Sequence, residues 1–298
     1  MQRADGEHVN LPSAREDLER QAPVPDTPQT RSPSFRLAFS DQDFLLHRDT
    51  RPVRLQLELM KPELKLREAG IESTVVVFGS ARVPSPEEAE EGLAAAEAAY
   101  RQAPGDHDAG LGLARARRIL ERSRYYEEAR RFARIVSKAG QDGGGKRRFV
   151  IVTGGGPGIM EAANRGAAEV GALSIGHNIV LPHEQAPNPY ITPELCFRFH
   201  YFAVRKMHLL MRARALAVFP GGYGTMDELF ETLCLMQTGK IKRRMPVLLF
   251  NEAYWRRLVD FEAMVEEGVI DRGDLDLLTF VETAEGAWDA IRRHYGMS

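Results

Sequence analysis

The hydrophobic rhythm of the chain changes several times along its length. From Met1 to about Ser34 the positions are polar, and Pro12, Pro23, Pro25, Pro28 and Pro33 fall without period. Such a stretch cannot bury enough apolar area to order itself, so residues 1–34 are expected to form a disordered tail. From Asp41 to Ala69 the apolar residues Phe44, Leu45, Leu55, Leu57 and Leu59 take helical spacing, interrupted by Pro52 and Pro62. That pattern predicts short helices packed outside a core, a helical extension over residues 35–72.

The core begins at Thr74. TVVVFGSA is a short β-branched run that ends in Gly79, Ser80 and Ala81, as a buried first strand and its turn would. Alanine- and charge-rich segments follow from Pro86 to Tyr100 and from Leu111 to Ala139, broken by APGDHDAG; they predict amphipathic helices, with an insertion near residues 86–125. RFVIVT then leads into GGGPG and a helical IMEAANRGAAEV, and a third strand covers Ala172 to Val180. After a proline-rich loop come FRFHYF, a helix through VRKMHLLMRAR with Val204, Met207, Leu210 and Met211 as its apolar stripe, and the strand ALAVF. The alternation repeats through GGYGTMDELFETLCLMQ, MPVLLF, AYWRRLVDFEAMVEEG, DLLTFV and AEGAWDAIRRHY. Parallel neighbours need helical crossovers, so the fold expected for residues 73–298 is α/β: a Rossmann-like, doubly wound, mainly parallel sheet with helices on both faces. Ligands in such sheets sit beyond the carboxyl ends of the strands, where both glycine-rich turns fall.

Composition narrows the functions available. The 298 residues carry 40 Lys+Arg against 42 Asp+Glu, a formal net charge of -2, so no global field draws the protein to nucleic acid or to an anionic membrane. Any anion must be held locally. Cys196 and Cys234 have neither zinc-site spacing nor disulfide density, and both are expected to be plain core residues in a reducing compartment. No apolar leader region or membrane-length stretch is seen, which predicts a cytoplasmic location. His177, His183, His200 and His208 lack metal-ligand spacing, so no metal is expected, and no cofactor is marked out.

The strongest chemical signal is PGGYGTMDE, Pro220 to Glu228. Glycines at 221, 222 and 224 let the backbone approach a ligand, while the helix starting near Thr225 aims free N–H groups at the same place. Thr225 and Glu228 also fit a capping box, a purely structural use of the same residues. A second turn, TGGGPGIMEA, includes Gly155 and Gly156 but lacks dinucleotide-fingerprint spacing. Two such turns suggest two walls of one pocket, one for phosphate and one for ribose or base. Gly140, Gly145 and Lys146 mimic the start of a phosphate-binding loop, yet Arg147 replaces the magnesium-binding hydroxyl and the run precedes a strand, so a surface turn is expected. Arg205 and Lys206 are neighbours on a helix, about 100° apart, so the two cannot face one point equally. A solvated surface pair is the ordinary alternative.

Taken together, these motifs resemble the LOG family of cytokinin riboside 5′-monophosphate phosphoribohydrolases, over about Thr74 to Ala290 apart from the helical insertion near Pro86 to Tyr125. The turn GGGPGIMEA is similar to that of longer bacterial members; plant members resemble GGGSxGLMG and tend to carry Thr where this chain has Cys234. The resemblance implies a homodimer or larger assembly that releases a free base and ribose 5-phosphate from a nucleoside 5′-monophosphate. It also implies that Arg205 and Glu228 match the catalytic pair, that Lys206 and Gly221, Gly222, Tyr223, Gly224 and Thr225 match substrate contacts, and that Glu184 matches a further one. Ser80, Gly155 and Gly156 complete the expected binding set. Glu228 would hold the ribose hydroxyls or the attacking water, and Arg205 would steady negative charge on the departing base or the phosphate. The rival reading is a non-catalytic carrier of a phosphorylated ligand such as molybdenum cofactor, which would not need the Arg205, Lys206 and Glu228 constellation.

Overall fold

A computed structural model of the chain describes residues 11–140, 146–182 and 186–297. The chain divides into two units, Met1–Arg54 and Leu55–Ser298. The smaller contains three short helices, α1 (Ala14–Glu19), α2 (Pro28–Arg31) and α3 (Gln42–Leu46). Composition predicts no order over the first two. Each is closed locally by a reciprocal capping box, Ser13 with Glu16 and Thr27 with Thr30, and neither buries a side chain.

The larger unit is built on seven parallel strands: β1 (Thr74–Phe78), β2 (Val150–Thr153), β3 (Ser174–Ile179), β4 (Cys196–Phe199), β5 (Ala213–Val218), β6 (Val247–Phe250) and β7 (Leu278–Val281). Their spatial order is β4-β3-β2-β1-β5-β6-β7. The winding reverses once, between β1 and β5, where Val76 pairs with Leu216 on one side and Val152 on the other. Because successive side chains point to opposite faces, Val75 and Val77 join one core while Val76 and Phe78 join the other. Every residue of β1 is buried, as its β-branched run requires.

Helices α4 (Arg51–Glu68), α5 (Pro86–Gln102), α6 (His107–Gly140), α7 (Ile159–Ala168), α8 (Phe202–Met211), α9 (Tyr223–Gln237), α10 (Glu252–Leu258), α11 (Phe261–Glu266) and α12 (Ala284–Tyr295) complete the fold. One face of the sheet is covered by α6, α7 and α12, through residues such as Tyr126, Phe132, Ile159 and Ile291. The other receives Leu66 of α4, Leu209 of α8, Leu229 of α9 and Trp255 of α10. The predicted helix from Leu111 to Ala139 is α6, which runs from His107 to Gly140, and from Ser123 onward it buries one face.

Two helix expectations are corrected. Pro52 and Pro62 do not interrupt α4, which is continuous over 18 residues. Pro52 occupies the first turn, where a missing N–H costs nothing. Pro62 deprives the Glu58 carbonyl of its helical donor. A ring nitrogen of His208 lies 3.3 Å from that carbonyl and takes the vacant role. Conversely, AYWRRLVDFEAMVEEG is two helices, because Asp260 caps α11 by accepting from the Ala263 amide. Among the described residues no helix is long and apolar enough to cross a membrane.

Candidate active site

Three turns meet at the carboxyl ends of β1, β2 and β5. Ser80, after β1, donates its amide to the Pro220 carbonyl and accepts from the Ile159 amide, so the first turn ties both glycine-rich turns together. Gly155 has φ +78, and a Cβ there would collide with the Asn178 amide, so this position requires glycine. Beneath it lies a buried polar chain. Thr153 Oγ1 donates to Asn164 Oδ1 at 2.7 Å, and Asn188 Nδ2 donates to the Gly155 and Gly156 carbonyls at 3.2 and 3.1 Å.

In the turn after β5 a Cβ on Gly221 would strike Thr225 Oγ1, because Thr225 is tucked under the turn and is buried. The expected capping box is absent. Helix α9 starts at Tyr223 with Gly222 as its cap and no side-chain cap bond, which moves Thr225 into the first turn. Thr225 and Met226 both donate their amides to the Gly222 carbonyl. The Tyr223 side chain stands almost entirely in solvent, at 97% exposure.

Glu228 follows one turn later, so α9 carries it inward to 3% exposure. Burial raises its carboxyl from the ordinary value near 4.5 to about 7, and the Arg205 and Lys206 charges offset this only in part. Arg205 reaches it from α8, with Nη1 3.7 Å from Oε1. The Arg205 Nε donates to the His177 carbonyl at 2.8 Å. A Cβ placed on Gly154 would lie 2.8 Å from Arg205 Nη2, so this guanidinium is packed directly under the second glycine turn. Burial lowers the Arg205 pKa, opposed by Glu228 and then Asp227.

The buried face of α8 departs from the sequence expectation at Met207 and Met211, while Val204 is buried and Leu210 packs against the core as expected. Val204, Arg205, His208 and Leu209 are buried, whereas Met207 and Met211 are each 51% exposed. Lys206, a quarter-turn away from Arg205, binds Asp227 at 2.8 Å and Glu231 at 2.7 Å. Burial opposes its charge, but these two carboxylates outweigh it and raise the pKa. The lysine therefore braces α8 against α9.

Arg205, Glu228, Gly154, Gly155 and the Gly221 turn form one edge of the sheet, as the motifs imply. Glu184 and His183 lie outside the described residues, as do positions 141–145 of the loop mimic, whose Lys146 is paired with Glu72 at 2.8 Å. Cys234 is exposed and Cys196 half-buried, so neither is a plain core residue. The sequence missed His177, Asn178, Asn188 and Tyr254, whose hydroxyl donates to the Gly221 carbonyl at 2.7 Å. None carries a local signal, since each meets its partner only through the fold. Among the described residues, no group of three His, Cys, Asp or Glu side chains is placed to hold a metal ion.

The family model described as "Possible lysine decarboxylase" matches residues 160–291, which contain Arg205, Lys206 and the whole PGGYGTMDE turn. Curated relatives agree. The chain is 34% identical over 131 residues to a cytokinin riboside 5′-monophosphate phosphoribohydrolase of Arabidopsis thaliana, covering 42% of this chain and 58% of that protein. Over this segment the chain is similar to the LOG family. A probable enzyme of the same description from Oryza sativa subsp. japonica is 29% identical over 146 residues, covering 47% of this chain and 60% of that protein. The chain spans about three-fifths of the length of the curated relatives it matches. Among solved structures, the Moco carrier protein from Chlamydomonas reinhardtii is 15% identical, with 76% of this chain and 98% of that chain covered and a TM-score of 0.43.

Proposed function

We propose that the chain hydrolyses the N-glycosidic bond of a nucleoside 5′-monophosphate, giving a free base and ribose 5-phosphate. The observation that carries this reading is the buried Glu228, with a pKa near neutrality, beside the buried Arg205 under two glycine-rich turns. The phosphate sits on the Gly221 to Thr225 turn, with the Gly222, Tyr223 and Gly224 amides as donors, since the Thr225 amide is already given to the Gly222 carbonyl. Binding energy from the phosphate then orients the reacting bond. The leaving base departs past Gly155 and Gly156, and ionised Glu228 stabilises the oxocarbenium-like sugar or activates water at C1′. Arg205 steadies the negative charge that develops on the base or is carried by the phosphate. The relatives' printed activity supports the reaction class, while the base preference is open between AMP and a cytokinin type.

Two measurements test this. Incubation with AMP, CMP, GMP and isopentenyl-AMP is expected to release free base, followed by chromatography. Tight binding of all four with no base released would favour a carrier and overturn the enzyme reading. Because the ionised form of Glu228 is the working one, kcat/KM should rise with pH along an acid limb centred at about 7. A flat profile between pH 5 and 8 would remove Glu228 from the chemistry.

The working unit is proposed to be a homodimer or larger assembly in the cytoplasm. Tyr223 and Phe230 on α9, with Met207 and Met211 on α8, expose large apolar side chains. Light scattering on the purified chain should give at least twice the 33.4 kDa monomer mass. A monomer at micromolar concentration would contradict this.

A further inference from the structure

A concavity opens at the same edge of the sheet, on the α6 side. Its volume is about 770 Å³, and Arg122, Arg124, Tyr125, Asn251, Tyr254 and Arg257 supply its polar lining. Arg205, Glu228, Gly222 and Thr225 are not among the residues that wall it. Pro220 is, and Tyr254 bonds the Gly221 carbonyl, so the cavity lies against the same turn without including the Arg205 and Glu228 side chains.

Its charge is unbalanced. Three guanidinium groups face one carboxylate, Glu121, which also lines the cavity. Arg124 is partly committed: its Nη2 donates to the Tyr125 hydroxyl at 2.7 Å, and its guanidinium carbon lies 4.8 Å from the centre of that ring. Arg122 on α6 and Arg257 on α10 form no ion pair among the described residues, whereas their neighbour Arg256 forms two. Burial pushes the Tyr254 phenol up, and its bond to Gly221 and then the charges of Arg122 and Arg257 pull it back. The two cations come from different helices to line one cavity, where an anionic ligand would meet both. The Tyr125 hydroxyl is also fixed, by Asn251 Nδ2, so the lining is organised before any ligand arrives.

Guanidinium forks match phosphate oxygens in pairs, and more than one fork suits more than one phosphate. The volume falls in the range of small-molecule sites, about 300–1,000 Å³, and the tyrosine rings, Leu120 and Pro220 offer apolar surface beside the cations. We propose that this cavity binds a ligand carrying two or more linked phosphates, at a site separate from the one where the nucleoside monophosphate is cleaved. The proposal does not depend on the hydrolase reading.

Titration calorimetry of the full chain with pyrophosphate and with ADP tests it directly. Both should bind saturably, one per chain. Tighter binding of ADP identifies an organic polyphosphate as the occupant, and equal binding an inorganic one. The double variant Arg122→Ala, Arg257→Ala changes exposed positions on two helices and should weaken both probes by about tenfold or more, the loss expected for charge-assisted bonds. Its circular dichroism and its basal release of base from AMP should match the unmodified chain. Failure of both probes to bind the unmodified chain would overturn the proposal. So would equal binding by the double variant, or stoichiometric displacement of pyrophosphate by AMP, which would place the probe in the cleavage site instead.

Discussion

Glu228→Gln is expected to retain AMP and fail to cleave it. The substitution keeps shape and hydrogen-bonding capacity while removing the charge that must face an oxocarbenium-like sugar, so kcat should fall by about 10³-fold. AMP affinity by calorimetry should stay within about threefold, because the phosphate is held on the backbone of the preceding turn. Hydrolysis by the purified variant at the unmodified rate would refute the assignment. Stability should move the opposite way. The folded-state pKa of Glu228 is raised, so its protonated form is the favourable one in the fold. That contribution is fully present below about pH 4.5 and is lost as pH rises through about 7. Glutamine is neutral at every pH, so the variant should melt higher than the unmodified chain above pH 7, by up to about 3 kcal/mol, with the difference vanishing near pH 4.5. An inactive variant that is also less stable at pH 8 would indicate a structural carboxylate and not one held ready for chemistry.

Arg205→Ala should cost about 10²- to 10³-fold in kcat/KM and also displace the pH profile. The arginine is the first-named cation offsetting the burial of Glu228, so its loss drives that carboxyl still higher and the acid limb with it. Arg205→Lys restores a charge but not the Nε bond to the His177 carbonyl, and should recover the position of the limb better than the rate. An Arg205→Ala enzyme with reduced rate and an unmoved limb would sever the proposed electrostatic link between the two residues.

The strands and glycine-rich turns were legible because they rest on short-range rules. In TVVVFGSA the short length, the β-branched residues and the flanking glycine together select a buried strand over a helix. The motif PGGYGTMDE likewise located its carboxylate. What the sequence misjudged depends on contacts made at a distance. Met207 and Met211 fit the apolar stripe of α8 but are exposed, and the buried Arg205 was hidden because a charge inside is intelligible only with Glu228 and the His177 carbonyl beside it. Thr225 and Glu228 have the spacing of a capping box, but the helix begins three residues earlier than that box requires. Tyr254 and Asn188 enter the site from beyond the motifs altogether.

Helix α4 was set down as an appendage, yet it supplies more than cover. The Glu58 carboxylate accepts from the His200 and Tyr201 amides at 2.8 and 3.1 Å, just ahead of α8, and the carbonyl that Pro62 leaves free meets His208 on the same helix. A truncated version begun at Thr74 would retain every motif in the strand-and-turn core. It would nonetheless lose the bracket that sets the pitch and rotation of the helix bearing Arg205. The part of the chain that orients Arg205 therefore begins upstream of its recognisable signature.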